Sequence, residues 1–583
     1  MEKEKLQNLR HSLAHLLAAA VGEIYKFDKI KLTLGPAIDN GFYYDIDFGE
    51  EKINDADLKK IEDMMRNKLP KWTSWESKEI GKEEALQFFK NEYKTELINE
   101  IADRGEKITT YTCGGFTDLC RGGHVENPNK EIDPMSFKLD RISGAYWRGN
   151  EKNKMLTRIY GLAFNNKEEL DVYTKQREEA EKRDHRKIGQ QMGLFTIAEK
   201  VGRGLPLFTP KGTLLRELLN DYSQSLRGNL GWQKVWSPHI TKNELYRTSG
   251  HWDKFGAELF LVESQETSDK LVMKPMNCPH HQQIYASQPH SYKDLPIKYT
   301  ETTTVYRDEK AGELLGLSRV RCITQDDSHT FCTPDQIEKV YEELISVTKT
   351  FYKVIGMKIR ARLSFKDPNE PQKYLGEEAL WEKAQTMILD IAQKTGLDYF
   401  VAEGEAAFYG PKIDFMAMDA LGREWQLATP QLDFVQPKRF ELVYTDHEGK
   451  EQTPVMIHFA LMGSIERFLS VYIEHTAGMF PLWLSPVQVK VIPVRSNHNE
   501  YAKKVFELLK ENNIRAELAD EDKNLGAKVR DAKNQKIPYW IVIGDKEIEA
   551  GKVTLESRDK GQLGQMSQEE LIQKLNEEIK NKK

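Results

Sequence analysis

Two short runs near the N-terminus gather residues able to bind metals or move protons. RHSLAH sets His11 and His15 four residues apart, on one face of a helix. Further on, CRGGH closes a glycine-rich run, CGGFTDLCRGGH, that must be a loop and adds Cys120 and His124. Three histidines and a thiol are chemically suited to a zinc site. In the middle of the chain, Arg307 and Arg319 lie in TTTVYRDEKAGELLGLSRVRCITQDDSHTFC and Arg467 in GSIERFLSVYIEH. Any one of these arginines taken alone reads as a surface ion pair. Cys278, His329 and His458 lie far apart and match no finger-type ligand spacing, so singly they read as a core cysteine and satisfied histidines.

These residues need a scaffold, and the chain is long enough for several. Its 583 residues exceed what one hydrophobic core supports. Residues 1–165 mix short helical and strand patterns, with a helix from about Gln7 to Ile24 and an alternating strand at GFYYDIDF, Gly41 to Phe48. Residues 166–193 are dense in charge and lack glycine before Gly189, which suggests a solvated linker helix. Residues 194–486 contain strand-like runs at Leu271 to Met276, Lys298 to Arg307, Val320 to Phe331, Met357 to Phe365 and Lys412 to Ala420. They predict one large antiparallel sheet flanked by helices, among them Asp335 to Gly356. From 487 to 583 strands and helices alternate, as in a small α/β domain with a mainly parallel sheet.

Composition narrows the class. With 39% hydrophobic and 30% charged residues the chain has a soluble globular profile, and its apolar runs are too short to span a bilayer. The start, MEKEKLQNLRHSLAHLLAAAV, fits neither a signal nor a transit peptide. Five cysteines in so long a chain are no disulfide scaffold and suit a reducing cytoplasm. A net charge of −6 argues against a simple polybasic nucleic-acid binder, although local basic surfaces can still meet phosphates.

GWQKVWSP after a long helical run, the Arg307–Arg319 segment and the Arg467 segment resemble, in order, the three signatures of class II aminoacyl-tRNA synthetases. KPMNCP, TQDDSHTF, FYGPKIDF, WQLATPQLDF and VMIHFALMGSIERF resemble the threonyl-tRNA synthetase family closely. The resemblance implies an α+β multidomain protein: an N-terminal α+β editing domain, a class II antiparallel catalytic core and a C-terminal α/β anticodon-binding domain. It implies ATP-dependent activation of threonine to threonyl-adenylate and transfer to tRNA(Thr), by a cytoplasmic homodimer. Arg307 would hold the α-phosphate and the threonine carboxylate, Arg467 and Arg319 the outer phosphates, and Glu309 the adenine edge. Fixed guanidinium groups suit this chemistry because negative charge builds on the transferring phosphate. Lys412, Gln426 and Ser464 would sit around ATP, which brings Mg²⁺, and Gln325, Asp327, Tyr409 and Gln431 around threonine. His251, in GHWDKF, would assist transfer to the tRNA.

In that family one cysteine and two histidines hold zinc, and they map to Cys278, His329 and His458. A three-ligand zinc leaves a position for substrate. The threonine hydroxyl can fill it where the isosteric valine cannot, a distinction that a hydrophobic pocket makes only by about 10²-fold. Serine also carries the hydroxyl and differs by one methyl group, worth about 10–200-fold. A second, hydrolytic site for seryl-tRNA is therefore needed, and His11, His15, Cys120 and His124, with Asp118 beside them, resemble the editing motifs of threonyl- and alanyl-tRNA synthetases. Asn524, Glu549 and Arg558 fall where anticodon contacts are expected. The chain resembles a bacterial-type form without the small further domain that often precedes the HxxxH helix. It departs from the family at Gly123, where CRGPH is usual, at His280, where NCPGH is usual, and at Leu315, where a histidine is common. The alternative is a non-catalytic, synthetase-like RNA-binding regulator.

Overall fold

The computed structural model describes residues 2–583, with side chains from Glu4 onward. It divides into two compact units, Met1–Glu178 and Glu179–Lys583. Among the described residues no helix is long and apolar enough to cross a membrane.

The first unit is built on the helix Glu2–Tyr25, which buries Leu9, Leu13, Leu16, Leu17 and Val21. An antiparallel sheet runs Lys31–Leu32, Gly41–Asp47, Met155–Ala163, Phe137–Tyr146, and Phe42, Tyr44 and Ile46 join the core of that helix. The strand expected at Gly41 to Phe48 is present, but it is buried along most of its length and does not alternate between core and solvent. A second sheet, Glu76–Glu79, Thr109–Cys113, Phe116–Leu119, presents the loop that follows it to the first helix. The charged segment expected as one linker helix forms two, Lys167–Lys182 and His185–Gln191, the second capped by the Asp184 carboxylate on the Arg186 N–H.

The second unit holds an eight-stranded sheet in the order Gln233–Lys234, Ile297–Tyr306, Cys322–Cys332, Val455–Ser464, Glu424–Asp433, Lys412–Met418, Lys358–Phe365, Tyr399–Glu403. Its six inner strands are antiparallel, and each edge strand joins in parallel. The helices Pro210–Gly228, Ile337–Ile355, Glu378–Lys394 and Ile465–Thr476 share its core through Leu219, Phe351, Ile388 and Phe468. One expected strand lies elsewhere: Lys270–Met273 pairs in a separate three-stranded sheet with Ile240–Lys242 and Leu261–Glu263. Pro275, which has no backbone donor, follows it and the helix Cys278–Ala286 begins soon after.

The C-terminal sheet, Ala516–Leu518, Val489–Pro493, Tyr539–Ile543, Val553–Ser557, Gly561–Met566, is mixed rather than mainly parallel. The first three strands are parallel with helices between them, and the last two form an antiparallel hairpin.

The central strands of the large sheet are tied to the helix Pro210–Gly228 by a fully buried ion pair. Arg227 Nη2 lies 3.0 Å from Asp326 Oδ2, and both side chains are 0% exposed. The same carboxylate accepts from Ser223 Oγ at 2.9 Å and from the Met462 N–H. Replacing Arg227 with leucine leaves the carboxylate buried without its cation, which costs about 3–5 kcal/mol. The expected result is a clear fall in the denaturant midpoint of the second unit, and an unchanged midpoint would refute this role.

Candidate active sites

A cavity of about 450 Å³ opens over the inner strands of the large sheet. Most residues on its wall come from the strands Cys322–Cys332, Glu424–Asp433 and Val455–Ser464, the loop between Arg307 and Arg319, and the start of the helix Ile465–Thr476. Ser464 caps that helix by accepting from the Arg467 N–H, so cap and arginine face the cavity together. Gly463, before the cap, has φ +72°, and a Cβ there would meet the Leu427 carbonyl oxygen at 2.9 Å. Only glycine allows this close approach of the two strands.

Of the residues expected around ATP and threonine, Arg307, Glu309, Arg319, Gln325, Asp327, Tyr409, Gln426, Gln431, Ser464 and Arg467 all line this cavity. Arg307 lies over the Phe255 ring, and Arg467 lies 5.8 Å from the Trp425 ring centroid. Among the described residues neither has a carboxylate partner within ion-pair distance. Arg319, in contrast, is paired with Glu309 at 2.7 Å. Tyr409 donates to Gln431 Oε1 at 2.7 Å and its ring stacks on His458. Asp327 is held by the Asn277 amide at 3.0 Å.

Two expected residues are placed differently. Lys412 does not reach the wall, because its ammonium is paired at 2.6 Å with the buried Asp414. Asp414 accepts in turn from Gln426, so Lys412 supports a wall residue rather than forming the wall. His251 is buried beneath the cavity, with Nδ1 2.7 Å from Ser249 Oγ and Nε2 3.8 Å from Cys278 Sγ. Burial pushes its pKa down to about 3, so the ring is neutral.

Cys278, His329 and His458 converge, with their ligand atoms all within 4.8 Å of one another and all three side chains buried. The register does this: His329 and His458 are directly opposed on neighbouring strands. His458 Nε2 lies 2.9 Å from Asp433 Oδ2, which fixes the proton there and leaves Nδ1 bare toward His329 Nε2 at 3.0 Å. Burial, with Asp327 and Asp433 nearby, pushes the Cys278 thiol well up. Burial likewise holds His329 well down. The set is an electron-rich hollow that a cation would complete. His280 is also buried, and among the described residues neither ring nitrogen has a partner.

In the first unit His11, His15, Cys120 and His124 form a second cluster, again within 4.8 Å. A cavity of about 340 Å³ lies against it, with His11, His15, Asp118 and Cys120 on its wall. Cys120 Sγ is 3.3 Å from His124 Nε2 and 3.6 Å from His11 Nε2. Asp118 is the buried hub beneath them, contacting His15 Nδ1 at 3.4 Å, Tyr44 Oη and Lys94 Nζ. Trp75 stacks on His124 with centroids 3.8 Å apart. Lys94, Tyr44 and Trp75 were not legible in the sequence, where they look like ordinary residues of a helix, a strand and a loop. Gly123 stands at φ +84°, which proline cannot adopt, so the departure from CRGPH gives this loop its own path.

The C-terminal candidates separate. Asn524 caps the helix Leu525–Asn534 by accepting from the Ala527 N–H, and it and Glu549 are exposed. Arg558 is engaged inside the protein instead: it donates to the Phe480 and Lys536 carbonyls and to Asp559.

The Cys120 cluster makes a direct prediction. Burial opposes the thiolate, but hydrogen bonds from His11, His124 and His15 outweigh it and hold the pKa down at about 3. Burial also opposes the His15 cation, but Asp118 and Cys120 raise it to about 9. Between these values the pair is thiolate and imidazolium. Iodoacetamide should therefore alkylate Cys120 at a rate that hardly falls between pH 8 and about pH 5, far below the ordinary thiol midpoint of about 8.5. In H15Q the midpoint should move up toward the ordinary value. A wild-type midpoint near that of a free thiol would overturn the assignment.

Comparisons with known proteins agree along the chain. Residues 260–476 match the family model of the class II tRNA synthetase core domain (G, H, P, S and T). Residues 488–578 match the anticodon binding domain, and 108–160 the threonyl and alanyl tRNA synthetase second additional domain. A threonine–tRNA ligase from Porphyromonas gingivalis is 46% identical over 95% of this chain and 85% of its own. One from Deinococcus radiodurans is 48% identical over 94% of this chain and 85% of its own. The RNA binding domain of threonyl-tRNA synthetase from Cryptosporidium parvum superposes with a TM-score of 0.64 at 35% identity, covering 68% of this chain and 98% of that one. With this identity and coverage added to a class II core, an anticodon domain and the two clusters, the chain belongs to the threonine–tRNA ligase family.

Proposed function

We propose that the chain catalyses threonine + ATP → threonyl-adenylate + pyrophosphate, then transfers the threonyl group to tRNA(Thr) with release of AMP, and hydrolyses seryl-tRNA(Thr) at its N-terminal site. The observation that carries the synthetic half is the pair of guanidinium groups, Arg307 and Arg467, on one cavity wall without carboxylate partners. Two unneutralised cations in a cleft call for an anion. In the first step a threonine carboxylate oxygen attacks the α-phosphorus and the bond to the pyrophosphate oxygen breaks. Arg307 meets the charge growing on the α-phosphate, and Arg467 the charge on the departing pyrophosphate. Arg319 and Glu309 now hold each other, and opening of that pair frees one for the outer phosphates and the other for the adenine edge. ATP brings Mg²⁺ with it.

Cys278, His329 and His458 fit a zinc ion: two bare ring nitrogens 3.0 Å apart and a thiol repel one another or stay protonated unless a cation lies among them. Bound there, zinc supplies a Lewis-acid position for the amino nitrogen and hydroxyl of threonine together, which valine cannot fill. Asp327 accepts from the amino group, and the Tyr409–Gln431 pair closes the pocket around the side chain. His251, a neutral ring beneath Cys278, is proposed to assist transfer to the tRNA, and it lies 3.8 Å from that ligand's sulfur. In the editing step water adds to the seryl ester carbonyl and the bond to the ribose oxygen breaks. The His11, His15, Cys120 and His124 cluster positions that water and the tRNA end, with Asp118 fixing His15.

A homodimer is supported by three exposed apolar residues: Trp236 at 74%, just after the first edge strand, and Leu261 at 72% and Ile240 at 45% in the separate three-stranded sheet. A cytoplasmic location is part of the proposal, supported by the need for tRNA and ATP. Asn524 and Glu549 are the exposed candidates for anticodon contact, where polar groups read unpaired bases.

Pyrophosphate exchange into ATP is expected to depend on threonine and to fall in R307A and R467A by about 10²–10³-fold in kcat, the range for loss of one transition-state donor. No exchange with zinc-loaded protein would favour the RNA-binding regulator. Separately, H11A and C120A should charge threonine normally while seryl-tRNA(Thr) accumulates. Undiminished removal of seryl-tRNA would refute the editing assignment.

A further inference from the structure

A buried chain of polar groups runs from the metal-ligand cluster to the segment that carries Trp236. His329 Nδ1 lies 2.8 Å from His281 Nδ1. His281 Nε2 lies 3.2 Å from Glu301 Oε2. Glu301 accepts from the Ser237 N–H and Ser237 Oγ, each at 2.7 Å. Lys274 Nζ closes the chain by donating to Ser237 Oγ and Thr303 Oγ1. His281, Glu301, Ser237 and Lys274 are each at most 4% exposed, so water does not substitute for these partners.

The protons in this chain can be assigned from its far end. Glu301 takes both Ser237 donors and can only accept, so the Nε2 of His281 carries the hydrogen between them. With its hydrogen on Nε2, His281 turns its Nδ1 lone pair toward His329. The Nδ1 of His329 must therefore carry a hydrogen, which leaves its Nε2 lone pair turned toward His458. Asp433 sets the opposite ring in one step, as described above. The two ligand histidines thus present different nitrogens, Nε2 of His329 and Nδ1 of His458. Each choice is imposed by a carboxylate, one acting directly and one through a second imidazole.

We infer that His281 and Glu301 are positioning residues for the proposed metal site: a carboxylate–histidine relay that fixes the tautomer and the ring plane of the ligand His329. This rests on the reading of Cys278, His329 and His458 as zinc ligands. The helix Cys278–Ala286 supplies both parts, because Cys278 and His281 are three residues apart and share one face. The same helix turn therefore brings one ligand to the metal and pins another. Partners of this kind, one shell beyond the ligands, orient a histidine and raise its basicity.

The test uses the full-length protein and zinc itself, with chelator competition for the dissociation constant and the absorption of the Co²⁺-substituted site as a second readout. H281F keeps the ring volume and breaks the relay. It is expected to bind zinc about 10–100-fold more weakly, the usual effect of losing such a partner, with a changed Co²⁺ ligand-field band. H281Q can accept at Oε1 from His329 and donate from Nε2 to Glu301, so it should regain most of that affinity. E301Q removes the charge that sets the tautomers while keeping the shape, and should also weaken zinc. It serves as the second variant where H281F is not folded by circular dichroism. H281F or E301Q folded and holding zinc as tightly as the wild type would overturn the relay while leaving the metal site intact. H281Q as weak as H281F would also overturn it, in favour of shape alone. Wild-type protein that binds no zinc would overturn the site reading itself, and the relay with it.

Discussion

The buried carboxylate of Asp326 sets the register on which the proposed synthetic site depends. It is held by Arg227 and Ser223 from the helix Pro210–Gly228 and by the Met462 N–H from the neighbouring strand. Successive side chains on a strand point to opposite faces, so a slip of one residue would exchange the faces. With Asp326 turned toward the helix, Gln325, Asp327 and His329 are turned toward the cavity, and His329 meets His458. A charge pair at 0% exposure tolerates no alternative partner, which makes it a strong pin for register even where its net stabilisation is modest.

The two clusters solve opposite electrostatic problems. The large cavity presents two cations, Arg307 and Arg467, without carboxylate partners among the described residues, and is arranged to receive charge from outside. The smaller cluster is internally balanced: Asp118, Lys94, His15 and Cys120 pair among themselves, so charge is stored as a thiolate beside an imidazolium. The first arrangement suits formation of an anhydride with a highly charged leaving group. The second suits hydrolysis of a neutral ester, where proton placement matters more than total charge. In the first, helices supply precision at their first turns: Ser464 aims Arg467, and Cys278 opens the helix that also carries His281.

Much of this was legible in the chain itself. The strand and helix runs, the three class II signatures and the HxxxH and CxxxH spacings are local patterns, set by periodicity and by what a single turn of helix brings together. They identify the elements, the family and most of the residues that line the large cavity. Tertiary structure decided what depends on long-range register and burial. Cys278, His329 and His458 are brought together by strand pairing and a helix start across 180 residues, which no spacing rule anticipates. Lys94 and Tyr44 acquire their place only because a helix and a strand converge on Asp118. Lys412 and Arg558 are drawn inside by Asp414 and by backbone carbonyls, although both match functional positions in the family. The relay through His281 and Glu301 is of the same kind. Its hydrogen positions follow from which acceptor each ring meets in a dry interior, and that is a property of the folded neighbourhood rather than of any segment.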